Sequence, residues 1–116
     1  MARILLVEDD PDVCPLLEHI LLSEKHQVTV AETFDTGRRQ VDVQSYDLVL
    51  TDLRLGDGDG LDLADAAKAA GMRTLILSAY VLRCAPERLE QHRFLWKPVR
   101  VPELLRVVAE VLDQPT

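Results

Sequence analysis

Four short stretches of the chain are apolar without interruption, and each ends at a polar or turn-forming residue: Arg3–Val7, Tyr46–Thr51, Arg73–Ser78 and Arg93–Trp96. Their inner residues (Ile4 to Val7, Leu48 to Leu50, Leu75 to Leu77, Phe94 to Trp96) run on rather than alternate. Such strands are buried on both faces, as in a parallel sheet with helices above and below. Gln27–Ala31 alternates Val28 and Val30 with Thr29 and reads as an edge strand. Between the strands the apolar period lengthens to that of a helix. Asp10 can cap and Pro11 open a helix carrying Val13, Leu16, Leu17, Ile20 and Leu21, with Pro15 in its first turn, where a missing N–H costs little. Gly60 to Ala70 is a second helical pattern with Gly71 as its stop, and Pro102 opens a last one with Leu104, Leu105, Val107, Val108, Val111 and Leu112. Thr33–Ser45 is less regular and is interrupted by Gly37. Pro86–Gln91 has room for a turn or two.

Strand and helix thus alternate about five times with no repeat, low-complexity tract or linker, which argues a single α/β domain over residues 1–116. The chain's 116 residues suit one such domain and are too few for two. The apolar start is only four residues long before Glu8-Asp9-Asp10, too short for a secretory signal. No apolar run is long enough to cross a bilayer, so a cytoplasmic protein without membrane contact is expected. Cys14 and Cys84 lack the density of a disulfide or zinc scaffold and read as small apolar side chains.

A net charge of −7 argues against direct nucleic-acid binding, which needs the opposite sign. Residues 1–70 hold 15 acids against 6 bases, whereas residues 71–116 hold 5 against 7. Arg83, Arg88, Arg93, Arg100 and Arg106 fall in that second part. They are either an ordinary solvated surface or a docking face for an acidic protein partner.

Ligands of an open parallel sheet bind at the carboxyl ends of its strands. Here those ends are Glu8-Asp9-Asp10, Thr51-Asp52, Ser78-Ala79 and Lys97-Pro98. Clustered carboxylates repel and raise one another's pKa unless a cation intervenes. Magnesium favours an all-oxygen shell of one or two carboxylates, waters and often a phosphate oxygen. Asp9 and Asp52 are the natural direct ligands, with Glu8 acting through water. Lys97 can face an anion that the metal also touches, and Ser78 can donate to it. A carboxylate so placed can attack a phosphoryl group, and Asp52, at the end of a buried strand beside a flexible Gly56–Gly60 loop, is the candidate nucleophile. The competing readings are a helix-capping cluster for Glu8, Asp9 and Asp10, a plain strand-end acid for Asp52, a turn hydroxyl for Ser78 and a solvated Lys97.

On these residues the chain resembles a two-component response regulator receiver domain of the stand-alone, chemotaxis-regulator kind. Ile4-Leu5-Leu6-Val7-Glu8-Asp9-Asp10 is similar to that family's first strand and acidic pair. Tyr46 through Asp52 is similar to the segment ending in its phosphorylated aspartate, with Asp59-Gly60 seven residues on. Leu75-Ile76-Leu77-Ser78-Ala79 is similar to the strand with its conformational hydroxyl, and Phe94-Leu95-Trp96-Lys97-Pro98 to the strand with its switch aromatic and Lys-Pro pair. The resemblance implies a flavodoxin-like doubly wound sheet of five parallel strands, order 2-1-3-4-5, flanked by about five helices. It implies phosphorylation at Asp52 by a histidine kinase or phosphotransfer protein, with Mg2+ held by Glu8, Asp9, Asp52 and the carbonyl of Arg54. It also implies a switch through Ser78 and Phe94 that changes binding of a downstream protein, with homodimerisation left open.

Three features depart from the family. Glycine stands at position 56 where proline is common, which is expected to loosen that loop. The interval from Ser78 to Lys97 is short, which leaves a stunted fourth helix. Arg54 and Tyr80, at positions that tune phosphoryl lifetime, are bulky, so slow autodephosphorylation is expected. The chain then modifies only itself and is no enzyme in the ordinary sense. Because Asp113 to Thr116 follow the last helix directly, a stand-alone switch is expected. The alternatives are the receiver half of a longer DNA-binding regulator, and a small aspartyl-phosphate phosphatase. The phosphatases place Asp-x-Asp at the end of the first strand, where this chain has Glu8-Asp9-Asp10.

Asp57-Gly58-Asp59-Gly60 does not fit a calcium loop, whose ligand positions would fall on Leu61 or Arg54. No glycine-rich nucleotide motif occurs. His19, His26 and His92 lack metal spacing and are expected on the surface or on helices, and Trp96 in the core or against a helix.

Overall fold

The computed structural model describes residues 2–79 and 91–114. Its elements in chain order are β1 (Arg3–Val7), α1 (Val13–Ser23), β2 (Gln27–Ala31), α2 (Phe34–Val43), β3 (Leu48–Asp52), β4 (Arg54–Leu55), β5 (Gly58–Asp59), α3 (Gly60–Ala69), β6 (Arg73–Ser78), β7 (Arg93–Trp96) and α4 (Val101–Leu112). Five strands form one parallel sheet in the order β2-β1-β3-β6-β7. Counting only these, the order is 2-1-3-4-5, as the family resemblance implies. The short helix expected around Pro86–Gln91 lies outside the described residues up to position 90, as do Tyr80, Arg83, Cys84 and Arg88.

The uninterrupted apolar strands serve two cores. Ile4, Leu6, Leu48, Leu50, Leu75 and Leu77 point to one side and pack with Leu17 and Leu21 of α1 and Leu104 and Val108 of α4. Leu5, Val7 and Val49 point to the other and meet Val41 of α2 and Leu63 and Ala67 of α3. A third cluster of Leu53, Leu61, Ala64 and Ile76 receives the half-buried Phe94. Each fully buried Leu or Ile contributes about 1.5–3 kcal/mol relative to exposure. Trp96 departs from expectation. It is 57% exposed, because β7 is an edge strand and alternates rather than lying covered on both faces.

Three boundaries also move. The third strand runs Leu48–Asp52, with Tyr46 buried just before it. The first helix starts at Val13, not Pro11. Pro11 and Asp12 form a turn, and the Asp10 carboxylate accepts from Asp12 N–H at 2.8 Å and Val13 N–H at 3.3 Å. Asp10 is therefore the capping side chain, one turn ahead of the regular helix. The helix that holds Gly37 is regular from Phe34 to Val43, and Gly71 at φ 87° follows the end of α3 as expected.

The largest correction concerns the segment expected to be a flexible loop. Arg54–Leu55 pairs antiparallel with Gly58–Asp59, and Gly60 is already helical. The Asp57 carboxylate, in the turn, accepts from Phe34 N–H at 2.7 Å and Asp35 N–H at 3.1 Å. Thr33 supplies acceptors for the next two amides: its Oγ1 takes Thr36 N–H at 3.1 Å and its carbonyl takes Gly37 N–H at 3.0 Å. All four amides at the start of α2 are thereby satisfied. The two backbone bonds hold the Asp57 carboxyl below the ordinary aspartate value of 3.8. A depressed carboxyl stabilises the fold above its unfolded pKa, and the contribution is lost as pH falls through the folded value. Asp57→Ala is accordingly expected to melt at lower temperature than the parent at neutral pH, with the gap closing in acid. Thermal melts of both proteins across that range check this.

Candidate functional site

The parallel register brings the carboxyl ends of the inner strands level. Val7 pairs with Thr51, Asp52 with Leu77, and Ser78 with Trp96. The residues just past those ends (Glu8, Asp9 and Lys97), together with Asp52 itself, therefore project into one place. Glu8 is fully buried, Asp52 half-buried and Asp9 exposed. Lys97 Nζ donates to Asp52 Oδ2 at 3.1 Å and to Glu8 Oε2 and Oε1 at 3.2 and 3.4 Å. Asp9 Oδ2 accepts from the Gly56 N–H at 2.9 Å. Glu8 Oε1 also accepts from Asp10 N–H at 3.3 Å.

Burial raises the Glu8 pKa, and the Asp52 carboxylate adds to the rise, while Lys97 opposes both. For Lys97 burial pulls the other way, but the facing carboxylates of Asp52 and Glu8 outweigh it and hold the ammonium above its ordinary value. One ammonium thus pairs with two of the three clustered carboxylates, so negative charge is left in excess. One oxygen from each of Glu8, Asp9 and Asp52 lies within 4.8 Å of the others. An all-oxygen, acidic donor set of this kind fits a hard divalent cation. An acidic hollow of about 190 Å³ opens beside it, lined by Glu8, Asp9, Asp10, Glu18 and Glu32, with Cys14 at its wall. Burial pushes the Cys14 thiol up, in keeping with a packed, unreactive side chain.

The other residues singled out from the sequence stand around this cluster. Ser78 is 1% exposed at the end of β6, and its carbonyl accepts the Lys97 N–H at 2.9 Å, which continues the parallel pairing of β6 and β7 past Trp96. Phe94 of β7 pairs with Ile76 of β6 and rests on the third core cluster, below the strand ends. Arg54 is exposed two residues past Asp52 and opens the hairpin. Of the arginines expected on a docking face, Arg93 and Arg106 both pair with Glu110, at 3.3 and 3.0 Å. Asp57 and Asp59 place their carboxylates on the amides of Phe34, Asp35 and Leu61.

His92 corrects the sequence reading. Its side chain is fully buried, with Nδ1 2.6 Å from Thr74 Oγ1 and Nε2 2.7 Å from Asp65 Oδ1. Spacings of 18 and 27 residues carry no local pattern, so nothing in the sequence marks this set. Gly56 and Gly60 likewise carry no local signal of a role at the site. Their backbone contacts with Asp9 and Asp52 depend on the hairpin. No helix among the described residues is long and apolar enough to cross a membrane.

The family model for the response regulator receiver domain matches residues 4–109. Among curated proteins, the chain is 36% identical over 118 residues to the transcriptional regulatory protein GlrR of Escherichia coli K12, covering 97% of this chain and 27% of that protein. It is 35% identical over 115 residues to the response regulator protein PilR of Pseudomonas aeruginosa, covering 95% and 26% respectively. The chain therefore spans about a quarter of the length of these relatives. Among solved structures, a CheY-like receiver domain protein from Methanospirillum hungatei superposes with a TM-score of 0.83 at 29% identity, over 97% of this chain and 94% of that one. The receiver domain of a sensor histidine kinase from Pseudomonas aeruginosa, solved with a magnesium ion coordinated in its active site cleft, gives 0.84 at 28% identity, over 97% and 98%.

Proposed function

Since the chain belongs to the response regulator receiver domain family, we propose that residues 1–116 act as a phosphorylation-controlled switch with Asp52 as the phosphoryl acceptor. The observation that carries this reading is Lys97 Nζ bridging Asp52 at 3.1 Å and Glu8 at 3.2 Å, with the Asp9 carboxylate alongside.

The donor on this reading is the phosphoimidazole of a histidine kinase or phosphotransfer protein. A carboxylate oxygen of Asp52 attacks phosphorus. An O–P bond forms, the P–N bond breaks, and the departing imidazole nitrogen keeps the electron pair and takes a proton. Lys97 is poised to follow the charge from the carboxylate to the phosphoryl oxygens, which is where most catalysis of such transfers originates. The side chains of Glu8, Asp9 and Asp52 and the carbonyl of Arg54 would hold Mg2+. When bound, that ion supplies the positive charge that the three carboxylates lack and offsets charge on the transferring group. The buried Ser78 hydroxyl would bond the phosphoryl group. Phe94, half-buried on the cluster of Leu53, Leu61, Ala64 and Ile76, would move into the space released. That exchange of packing changes the surface offered to a downstream protein. Arg54 and Tyr80 slow hydrolysis, so the chain catalyses only its own modification and slow reversal.

A second reading has its own support. GlrR is named a transcriptional regulatory protein, and it and PilR are about four times longer than this chain, which favours a receiver half that controls a separate output segment. Both readings share one test. Incubation with acetyl phosphate and Mg2+, followed by intact mass, is expected to add one phosphoryl group to the parent and none to Asp52→Asn. Equal labelling of Asp52→Asn would overturn the assignment, and many turnovers of a simple phosphomonoester per molecule would restore the phosphatase reading.

A further inference from the structure

We propose that the main-chain N–H of Gly56 is a positioning donor for the cation site, fixing the Asp9 carboxylate and so setting affinity for a divalent metal. This rests on the reading of Glu8, Asp9 and Asp52 as metal ligands. Asp9 lies exposed in the irregular segment just past β1, where its side chain would otherwise sample several rotamers. The Gly56 amide, 47 residues away, binds Asp9 Oδ2 at 2.9 Å and leaves Oδ1 to a cation.

The donor is itself held from both sides. Gly56 and Asp57 are the two turn residues between β4 and β5, whose partners are Arg54 with Asp59 and Leu55 with Gly58. At the far side Asp57 grips the first amides of α2. At the near side Gly60 N–H binds the Leu53 carbonyl at 2.7 Å. A rigid turn therefore presents one N–H to one oxygen of a ligand, as outer-shell donors do in metal sites, where their loss costs about 10- to 100-fold in affinity.

Two substitutions separate the donor from the glycine. Gly56→Pro removes the N–H, while Gly56→Ala keeps it. The new Cβ in Gly56→Ala would stand 3.6 Å from Asp9 Oδ2, an ordinary contact. Calorimetric titration with Mg2+ alone is expected to show Gly56→Pro weakened about tenfold and Gly56→Ala within about twofold of the parent. Equal affinity of Gly56→Pro and parent, or equal loss in Gly56→Ala, would overturn the proposal while leaving the metal site standing. A parent that binds no Mg2+ would instead remove the metal reading itself. Should Gly56→Pro not fold, hydrogen exchange decides. The Gly56 amide is expected to be protected in the metal-free parent and unprotected in Asp9→Ala, and free exchange in the parent would refute the bond.

Discussion

Gly60→Ala loses about 3 kcal/mol of stability and with it the capacity of Asp52 to be phosphorylated. A Cβ at residue 60 would lie 1.9 Å from the Asp52 carbonyl oxygen and 2.8 Å from its carbonyl carbon. Both atoms are backbone, so no side chain can swing aside. The Gly60 amide is tied to the Leu53 carbonyl, and the following residues Leu61, Leu63 and Ala64 are fully buried. Relief therefore means moving either α3 or the end of β3. Helix propensity works in the opposite direction, because alanine is favoured over glycine by about 0.5–1 kcal/mol within a helix. The steric term is larger, so the sign is destabilising. For a chain of this size the loss lowers the melting temperature by about 10 °C. Thermal melts and phosphorylation with acetyl phosphate read both consequences. An unchanged or raised melting temperature would show that the contact relaxes without cost.

Lys97→Met produces the second large effect, and its signature is pH dependence. Removal of the ammonium leaves Glu8 with no exposed surface facing Asp52, an uncompensated buried charge. Breaking a fully buried pair costs about 3–5 kcal/mol. Lys97 keeps 19% side-chain exposure, and solvent screening brings the expectation down to about 2–3 kcal/mol near neutrality. Glu8 already has a folded pKa raised above its ordinary 4.5 by burial and by Asp52. A raised carboxyl contributes stability below its unfolded pKa and loses it as pH rises through the folded value. Without Lys97 that folded value climbs further, so the deficit of Lys97→Met is greatest at neutral pH and shrinks as Glu8 takes a proton in mild acid. The Lys97 pKa is raised for the converse reason. Its contribution is full below its ordinary 10.5 and fades as pH rises past the folded value, so the two proteins converge again in alkali. Glu8→Gln placed on the Lys97→Met background is expected to restore much of the loss. Denaturant melts across pH measure all of this, and a pH-independent deficit would contradict it.

The sheet and the residues gathered at its edge were legible for one reason: strands announce themselves locally. Continuous apolar runs such as Leu48-Val49-Leu50 encode burial on two faces, and a parallel sheet then obliges their polar terminators to meet. Glu8, Asp9, Asp52 and Lys97 follow from that with no knowledge of contacts. Properties that depend on partners distant in the sequence were not legible. Glycines 56 to 60 suggest mobility. Their order comes instead from the amides of Phe34 and Asp35 and from the carbonyl of Leu53. Gly37 reads as weakening a helix, yet it is buried where α2 packs on β1, with a Cβ there 3.0 Å from Val7 Cγ2. His92 reads as surface because histidine is polar, while Thr74 and Asp65 satisfy both ring nitrogens in the interior. Trp96 reads as core because it is aromatic, while its strand lies at the sheet edge.

The measurement that bears most directly on the central claim is the position of the acyl phosphate. Protein exposed to acetyl phosphate and Mg2+ is reduced with borohydride, which converts a phosphorylated aspartate to homoserine, and is then sequenced by tandem mass spectrometry. Homoserine at residue 52 alone is the expected result. Homoserine at residue 9, or none in protein that Mg2+ has been shown to bind, would contradict the account.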